Sequence, residues 1–204
     1  MKLTAMSRHI AAAVLLLGLA ALPGCANEPP AAPQPTLGFT GKPLKLNIAS
    51  VAVDDRYNPP GVAPNVEQLH SVTPSTIAQR WADTRIAAVG SRGLATLTVL
   101  DASVIESKLP VKGGLTGFFG DQTDTKITGR LRAELTVSLP GTQAGSYSTY
   151  KASVNASGDQ TILQSANLND RDRAYFELMQ MIAQKFDASL TAEINRAMAP
   201  VIAR

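Results

Sequence analysis

The sequence predicts an α+β domain of order β-α-β-β-β-α, in which two helices pack on a four-stranded, mostly antiparallel sheet. Apolar and polar residues alternate strictly over residues 127–139, which is typical of a strand with one buried and one solvated face. Apolar residues near the C-terminus recur instead at helical spacing. The 204 residues are 45% hydrophobic and include a single cysteine, so we expect one folded domain without an internal disulfide framework.

The first strand and the first helix are predicted from local patterns. Residues 44–53 alternate between apolar and polar, with a change of parity that predicts a bulge near Ala49. After a proline-rich loop, Thr73 is a typical N-cap and Pro74 suits the first helical position. The apolar face of this helix continues to Gly90, where we expect the helix to end.

Three further strands follow. Residues 93–108 predict a second strand, again with a change of parity, and residues 127–139 predict the third. A turn at Pro140–Gly141 precedes a fourth alternating stretch, residues 150–156. The third and fourth strands are therefore expected to form an antiparallel hairpin.

The chain closes with a long amphipathic helix. Asn169 is a candidate N-cap with Asp172 three residues later, and the apolar stripe runs to Pro200. About 30 residues at 1.5 Å each give a helix roughly 45 Å long, sufficient to cross a four-stranded sheet. We expect both helices on one face of the sheet.

The N-terminal residues 1–24 are typical of a secretory signal peptide. Lys2 and Arg8 form a positive segment, and the apolar run over residues 10–22 is too short to span a bilayer. The following residues, Leu22-Pro23-Gly24-Cys25, resemble the lipobox of bacterial lipoproteins. That resemblance implies cleavage between Gly24 and Cys25 and lipid attachment at Cys25; the alternative is an ordinary signal peptide with a chance cysteine.

An acylated Cys25 would anchor the protein to a membrane, because two or more acyl chains suffice for stable binding. Five prolines follow before residue 44, so residues 25–43 are interpreted as an extended tether and residues 44–204 as a single periplasmic domain. Ala26, in place of aspartate after the cysteine, resembles outer-membrane cargo. We therefore expect a cell-envelope protein at the outer membrane that faces the periplasm.

Composition argues against several functions. Without Lys2 and Arg8, the chain retains 17 basic and 16 acidic side chains, a balance that does not attract nucleic acid. His70 is the single histidine outside the signal peptide, and Cys25 is committed to the anchor, so neither a zinc site nor a nucleophile and base pair is expected. We expect no catalytic residues, metal or cofactor.

The combination of lipobox, proline-rich tether, element order and long closing helix resembles two groups of bacterial envelope lipoproteins. These are the auxiliary lipoproteins of ABC-type transport systems and the lipoprotein partner of the lipopolysaccharide translocon. The segments 63–67 and Arg80-Trp81 also resemble a pattern in uncharacterised lipoproteins of Gram-negative bacteria. The resemblance implies a non-catalytic accessory or adaptor of a lipid-related transport or outer-membrane assembly complex. The alternatives are a periplasmic lipid-binding carrier and an enzyme with an unrecognised site.

Leu115, Phe118 and Phe119 lie among glycines between the second and third strands. Aromatic residues in a loop commonly fold back and cap a sheet. The alternative hypothesis is an exposed apolar tip that contacts a lipid or a partner protein.

A second candidate contact is an apolar groove lined by Trp81, Ile182 and Phe186. Such a groove requires that the helices and the sheet do not close tightly. If they do close, the same residues belong to the core, which the spacing along the closing helix favours.

Overall fold

The computed structural model describes residues 37–111, 121–143 and 145–203. It confirms the α+β class with two α-helices, but the sheet is not strictly four-stranded. The elements are β1 (Leu44–Leu46), β2 (Ser50–Asp55), α1 (Pro74–Arg85), β3 (Ile86–Ala88), β4 (Leu94–Asp101), β5 (Val104–Lys108), β6 (Thr123–Pro140), β7 (Tyr147–Leu163) and α2 (Leu168–Ala197). Two 3-10 turns add Glu67–Leu69 and Ala199–Val201.

The main sheet is mixed but mostly antiparallel. Five strands contribute: β6 pairs antiparallel with β4, β5 and β7, whereas β2 runs parallel to β4. Because β4 and β5 follow one another along the same side of β6, the sheet is four rows wide although it contains five strands. β1 and β3 form a separate parallel pair.

The predicted first strand is wrong as a single element. Residues 44–46 pair with β3, and residues 50–55 pair with β4 in the main sheet. Between them the chain turns tightly, where the Ile48 amide donates to the Leu46 carbonyl. The parity change that predicted a bulge near Ala49 thus marks a switch from one sheet to the other.

Helix α1 begins as predicted but ends earlier. Thr73 is the N-cap with a capping box to Thr76, and Pro74 is the first helical residue. The helix ends at Arg85, and Ile86–Ala88 form β3. The apolar residues that extended the predicted helix to Gly90 belong instead to an extended segment that pairs with β1.

The remaining strands follow the prediction with changed bounds. The predicted second strand is divided into β4 and β5, and the break falls where Asp101 accepts a hydrogen bond from the Ser103 amide. The β6–β7 hairpin is confirmed, and both strands are longer than predicted. Helix α2 starts two residues before the predicted position, with Asn167 as N-cap and Asp170 completing its capping box.

One continuous core lies between the sheet and the helices. α1 and α2 contact each other and both contact β6, so they lie on the same face of the sheet. Trp81 of α1 and Phe186 of α2 meet edge to face with ring centroids 5.6 Å apart. Gly129 lets α2 approach β6 closely, because a Cβ there would lie 2.5 Å from Cδ1 of Ile182.

Part of the predicted tether packs on the folded unit. Leu37 is buried, and Nη1 of Arg80 donates to its carbonyl at 2.9 Å. Arg85 similarly donates to the carbonyl of Lys42. The folded unit therefore extends N-terminal to Leu44.

Candidate functional site

A cavity of about 230 Å³ lies at the N-terminal end of α2. Its walls come from the 3-10 turn after β2, from α2, and from β5, β6 and β7. It is lined by Val66, Leu69, His70, Glu106, Ile127, Ile162, Leu168, Arg171, Asp172 and Tyr175. The aliphatic side chains make it predominantly apolar, and three charged residues lie among them.

Helical spacing explains why α2 supplies four of these residues. Counted from Leu168, the next three residues of the lining lie three, four and seven positions further along α2: Arg171, Asp172 and Tyr175. Residues at these spacings share one face of a helix. The capping box at Asn167 fixes the start of this helix and hence the position of that face.

The side chains of His70 and Tyr175 contact each other in the cavity wall. Their rings stack with centroids 3.5 Å apart and planes inclined by 15°. Burial lowers the pKa of His70, although the carboxylate of Asp172, 3.9 Å from Nδ1, acts in the opposite direction. The imidazole is therefore mostly neutral at pH 7 and can serve as both donor and acceptor.

The hydroxyl of Tyr175 is buried and has no hydrogen-bond partner. Within the described ranges it is the one buried side-chain polar atom in this state. Burial and the nearby charge of Glu67 both raise the pKa of Tyr175, so the phenol stays protonated. A buried donor without an acceptor is costly, which makes this hydroxyl a candidate contact for a ligand atom.

Behind the cavity, the buried carboxylate of Glu67 holds the loop against the sheet. It accepts hydrogen bonds from the Tyr57 hydroxyl at 2.6 Å, from Nδ2 of Asn65 at 3.2 Å and from the Val104 amide at 3.0 Å. Burial by itself would raise the pKa of Glu67, but these hydrogen bonds outweigh it and lower the pKa. The network fixes the 3-10 turn that carries Leu69 and His70.

Two leucines at the cavity are largely exposed to solvent, although their side chains are apolar. Leu69 is 72% exposed and Leu168 is 73% exposed, and both line the cavity. Exposed apolar surface beside an apolar cavity marks an interaction site more strongly than isolated surface leucines do. The arrangement is suited to binding an apolar group.

The geometry of the cavity favours catalysis less than it favours the binding of an apolar group. The carboxylate of Asp172 lies 3.9 Å from Nδ1 of His70, longer than a hydrogen bond. Across the part of the chain that the structure describes, no three His, Cys, Asp or Glu side chains are grouped to hold a metal ion. The same residues include no helix long and apolar enough to cross a bilayer.

The structure brings together only some of the residues predicted as contacts. Trp81, Ile182 and Phe186 are wholly buried, which places them in the closed core rather than along an open groove. The apolar cavity lies elsewhere, near the start of α2. The predicted tip residues and the predicted lipidation and cleavage residues lie outside the described ranges: Leu115, Phe118, Phe119, Gly24 and Cys25.

Sequence reasoning missed the residues that form this cavity. In the sequence His70 is only a lone histidine, and Tyr175 is only one residue of the stripe along the closing helix. A tyrosine in such a stripe is a weak signal, since its hydroxyl usually finds a polar partner when buried. No sequence period relates residue 70 to residue 175.

Comparison with known proteins assigns no family: no protein-family model matches the chain, and no curated protein matches it significantly.

Proposed function

We propose that this protein is a lipid-anchored lipoprotein of the cell envelope that acts as a non-catalytic accessory of a lipid-handling transport or assembly system. The signal and lipobox-like pattern that ends at Cys25 supports the anchoring. The apolar cavity and its two exposed leucines support a role in contact rather than chemistry. The outer-membrane location is part of the proposal and follows from Ala26.

The observation that carries the contact role is the joint exposure of Leu69 and Leu168. Burying a leucine side chain is favourable by roughly 1.5–3 kcal/mol, and this free energy is forgone at both positions in the isolated chain. An apolar partner surface would recover it. We therefore place the accessory's contact surface at the mouth of the cavity, defined by these two leucines.

The anchor is tested by the mass of the N-terminal peptide of the protein extracted from bacterial membranes. Acylation predicts a peptide that begins at Cys25 and carries the added mass of the lipid. A Cys25→Ser variant should then leave the membrane fraction. An unmodified N-terminus, or wild-type protein that washes off the membrane, contradicts the proposal.

The contact role is tested by a Leu69→Ser, Leu168→Ser double variant of the full chain. The matched control is Val89→Ser with Leu94→Ser, because these apolar residues are 52% and 42% exposed and lie outside the cavity lining. Native mass spectrometry after mild detergent extraction should show a stoichiometric envelope protein with the wild type and the control. Loss of that protein in the double variant alone supports the accessory role, and equal capture by all three contradicts it.

A second candidate function, a periplasmic lipid carrier, is favoured by the cavity itself. At about 230 Å³ the cavity is smaller than the roughly 300–1,000 Å³ typical of pockets that enclose a small ligand. It therefore suits part of one acyl chain rather than a whole lipid, which is why the accessory role is preferred. Co-purified lipid without a protein partner, displaced by a Leu168→Trp variant that obstructs the mouth, would instead establish the carrier.

A further inference from the structure

Strand β7 presents an unusually long free edge. All 17 residues of Tyr147–Leu163 lie along β6, and no strand within the described ranges pairs with the opposite side of β7. At about 3.3 Å per residue this edge is roughly 55 Å long, whereas strands in globular proteins usually have 3–10 residues. Edge strands are normally shortened or interrupted by proline, and β7 contains no proline.

Hydrogen bonds at both ends of β7 show which backbone groups point outward. Beyond its last residue, the Gln164 amide donates to the carbonyl of Gln122 beside β6, and before its first residue the Ser146 carbonyl accepts from the Gly141 amide. Even-numbered residues thus direct their backbone groups toward β6. Since strands alternate with a period of two, odd-numbered residues direct theirs to the free edge.

The carbonyl of Ser157 agrees with this assignment. It accepts a hydrogen bond at 2.8 Å from Nζ of Lys185, which reaches it from α2. A carbonyl oxygen has two lone pairs, so this contact leaves room for one more donor.

The charge pattern of β7 then selects one register for pairing with an identical strand. Lys151 and Asp159 are the only charged residues of the strand, and both are odd-numbered. In an antiparallel pair related by a two-fold axis at Asn155, Lys151 of each copy lies opposite Asp159 of the other. If the two-fold axis lies at Lys151 or at Asp159, that residue lies opposite the same residue of the other copy, and like charges meet. With the axis at any other position, both charged residues lie opposite neutral ones.

The neighbouring residues fit the same register. Around the axis, Ser153 meets Ser157 on the open face, and Val154 meets Ala156 on the helix-packed face. These side chains are small, so the two edges can approach without steric conflict. The odd-numbered residues of both copies share one face, which continues the sheet from one copy into the next.

The salt bridges already present extend this complementarity. Nζ of Lys151 is 2.8 Å from Glu134, and Nζ of Lys126 is 3.4 Å from Asp159. Across the two-fold axis the order of charges becomes Glu134, Lys151, Asp159 and Lys126, with the last two from the second copy. Signs alternate along this row, so each charge in it has neighbours of opposite sign.

We infer that β7 is a homodimerisation edge, which pairs antiparallel with β7 of a second copy about Asn155 to form one continuous sheet. The interface follows from the hydrogen-bond parity and the charge pattern of the strand. It is independent of the proposed lipid-related function.

The register is tested by cysteine cross-linking of the full-length protein under mild oxidation. In the inferred dimer the two Asn155 Cα atoms are about 5.5 Å apart, within the range that a disulfide bridges. An Asn155→Cys variant should therefore cross-link to itself. The matched control is Thr149→Cys on the same strand and face. In the inferred register, residue 149 of one copy and residue 149 of the other are separated by 12 residues along the strands, or roughly 40 Å, so this variant should not cross-link.

Charge reversal supplies a second test that does not depend on a disulfide. Sedimentation of detergent-solubilised protein should show a dimer whose dissociation constant rises about tenfold or more with Lys151→Asp. The Lys151→Asp, Asp159→Lys double variant should restore dimerisation, whereas melting temperatures report any loss of folding separately. The inference is overturned by a protein that stays monomeric at all concentrations, or by a dimer in which Asn155→Cys does not cross-link. It is equally overturned if native mass spectrometry finds another protein, instead of a second copy, in a complex that Lys151→Asp disrupts.

Discussion

Nε of Arg85 donates to Oδ1 of Asp187 at 2.7 Å, which joins α1 to α2 across 102 residues of sequence. The same carboxylate oxygen accepts from Nε1 of Trp81 at 2.8 Å. Arg85 also donates to the backbone of the segment before β1, through the carbonyl of Lys42. This ion pair thus holds together both helices and the N-terminal segment of the folded unit.

Replacing Asp187 by alanine should be strongly destabilising. The Arg85 side chain is only 7% exposed, so removing its partner leaves an uncompensated charge in the interior. Losses of about 3–5 kcal/mol are typical for such a change, and the partial exposure of Asp187 places the expectation near 3 kcal/mol. Urea unfolding of the wild type and of Asp187→Ala measures this loss in the free energy of unfolding.

The control for Asp187→Ala is Glu193→Ala, which breaks an exposed pair with Arg196 on the same helix and should cost far less, because water screens a salt bridge between exposed side chains. A similar loss from both variants would contradict the structural role of the Arg85–Asp187 pair.

The core position of Phe186 predicts a large loss of stability on truncation. Phe186→Ala removes a fully buried ring that packs on Trp81, so we expect about 3–5 kcal/mol of destabilisation. Leu168→Ala on the same helix should change the unfolding free energy by no more than about 0.5 kcal/mol, because its side chain is mostly exposed. Chemical denaturation of both variants measures the two changes in the free energy of unfolding. A small change for Phe186→Ala would contradict the core position and favour the open groove.

The sequence predicts best what local physics determines. The strand over residues 127–139 could be predicted because one face of β6 is solvated, which produces a strict alternation of apolar and polar residues. The start of α1 could be predicted because Thr73 and Pro74 stabilise the helical turn that they themselves begin. Ile86–Ala88 were assigned wrongly because β-branched and small apolar residues fit a helical stripe as well as a strand. Their partner, β1, lies about 40 residues earlier in the chain, and no local sequence pattern indicates that these two segments pair.

The cavity was beyond sequence reasoning for a related reason. His70 lies in a loop whose course depends on the buried Glu67 network, and Tyr175 lies in a helix whose apolar stripe conceals its polar atom. Their contact depends on where the loop and α2 are placed by the rest of the fold. Exposure of Leu69 and Leu168 is likewise a property of the assembled chain.

Glu67→Gln should destabilise the protein although it preserves shape. The carboxylate accepts from Tyr57 and from the Val104 amide, and a glutamine nitrogen accepts from neither. At least one donor then loses its partner, at a cost of about 1–3 kcal/mol. Urea unfolding near neutral pH tests this, with Glu193→Gln as the surface control; equal stability of Glu67→Gln and the wild type would contradict the role of the network.

The pH dependence of stability should reveal the half-buried imidazole of His70. Its pKa is lowered in the folded protein by burial, whereas in the unfolded chain it has the ordinary value of about 6.5. Between these two values the unfolded chain binds more protons, so the free energy of unfolding falls as pH decreases from about 7.5 through 6.5 toward the folded pKa. Above this window the contribution of His70 is fully present.

A His70→Phe variant should remove this contribution, because phenylalanine can stack on Tyr175 but cannot bind a proton. Unfolding free energies at pH 7.5, 6.5 and 5.5 should therefore fall more steeply for the wild type than for His70→Phe. Asp172→Asn should deepen the wild-type loss, since the Asp172 charge raises the pKa of His70 and its removal lets that pKa fall further. Identical slopes for the wild type and His70→Phe would mean that the histidine titrates in the folded protein as it does in the unfolded chain, and that the stacked imidazole is not shielded from water.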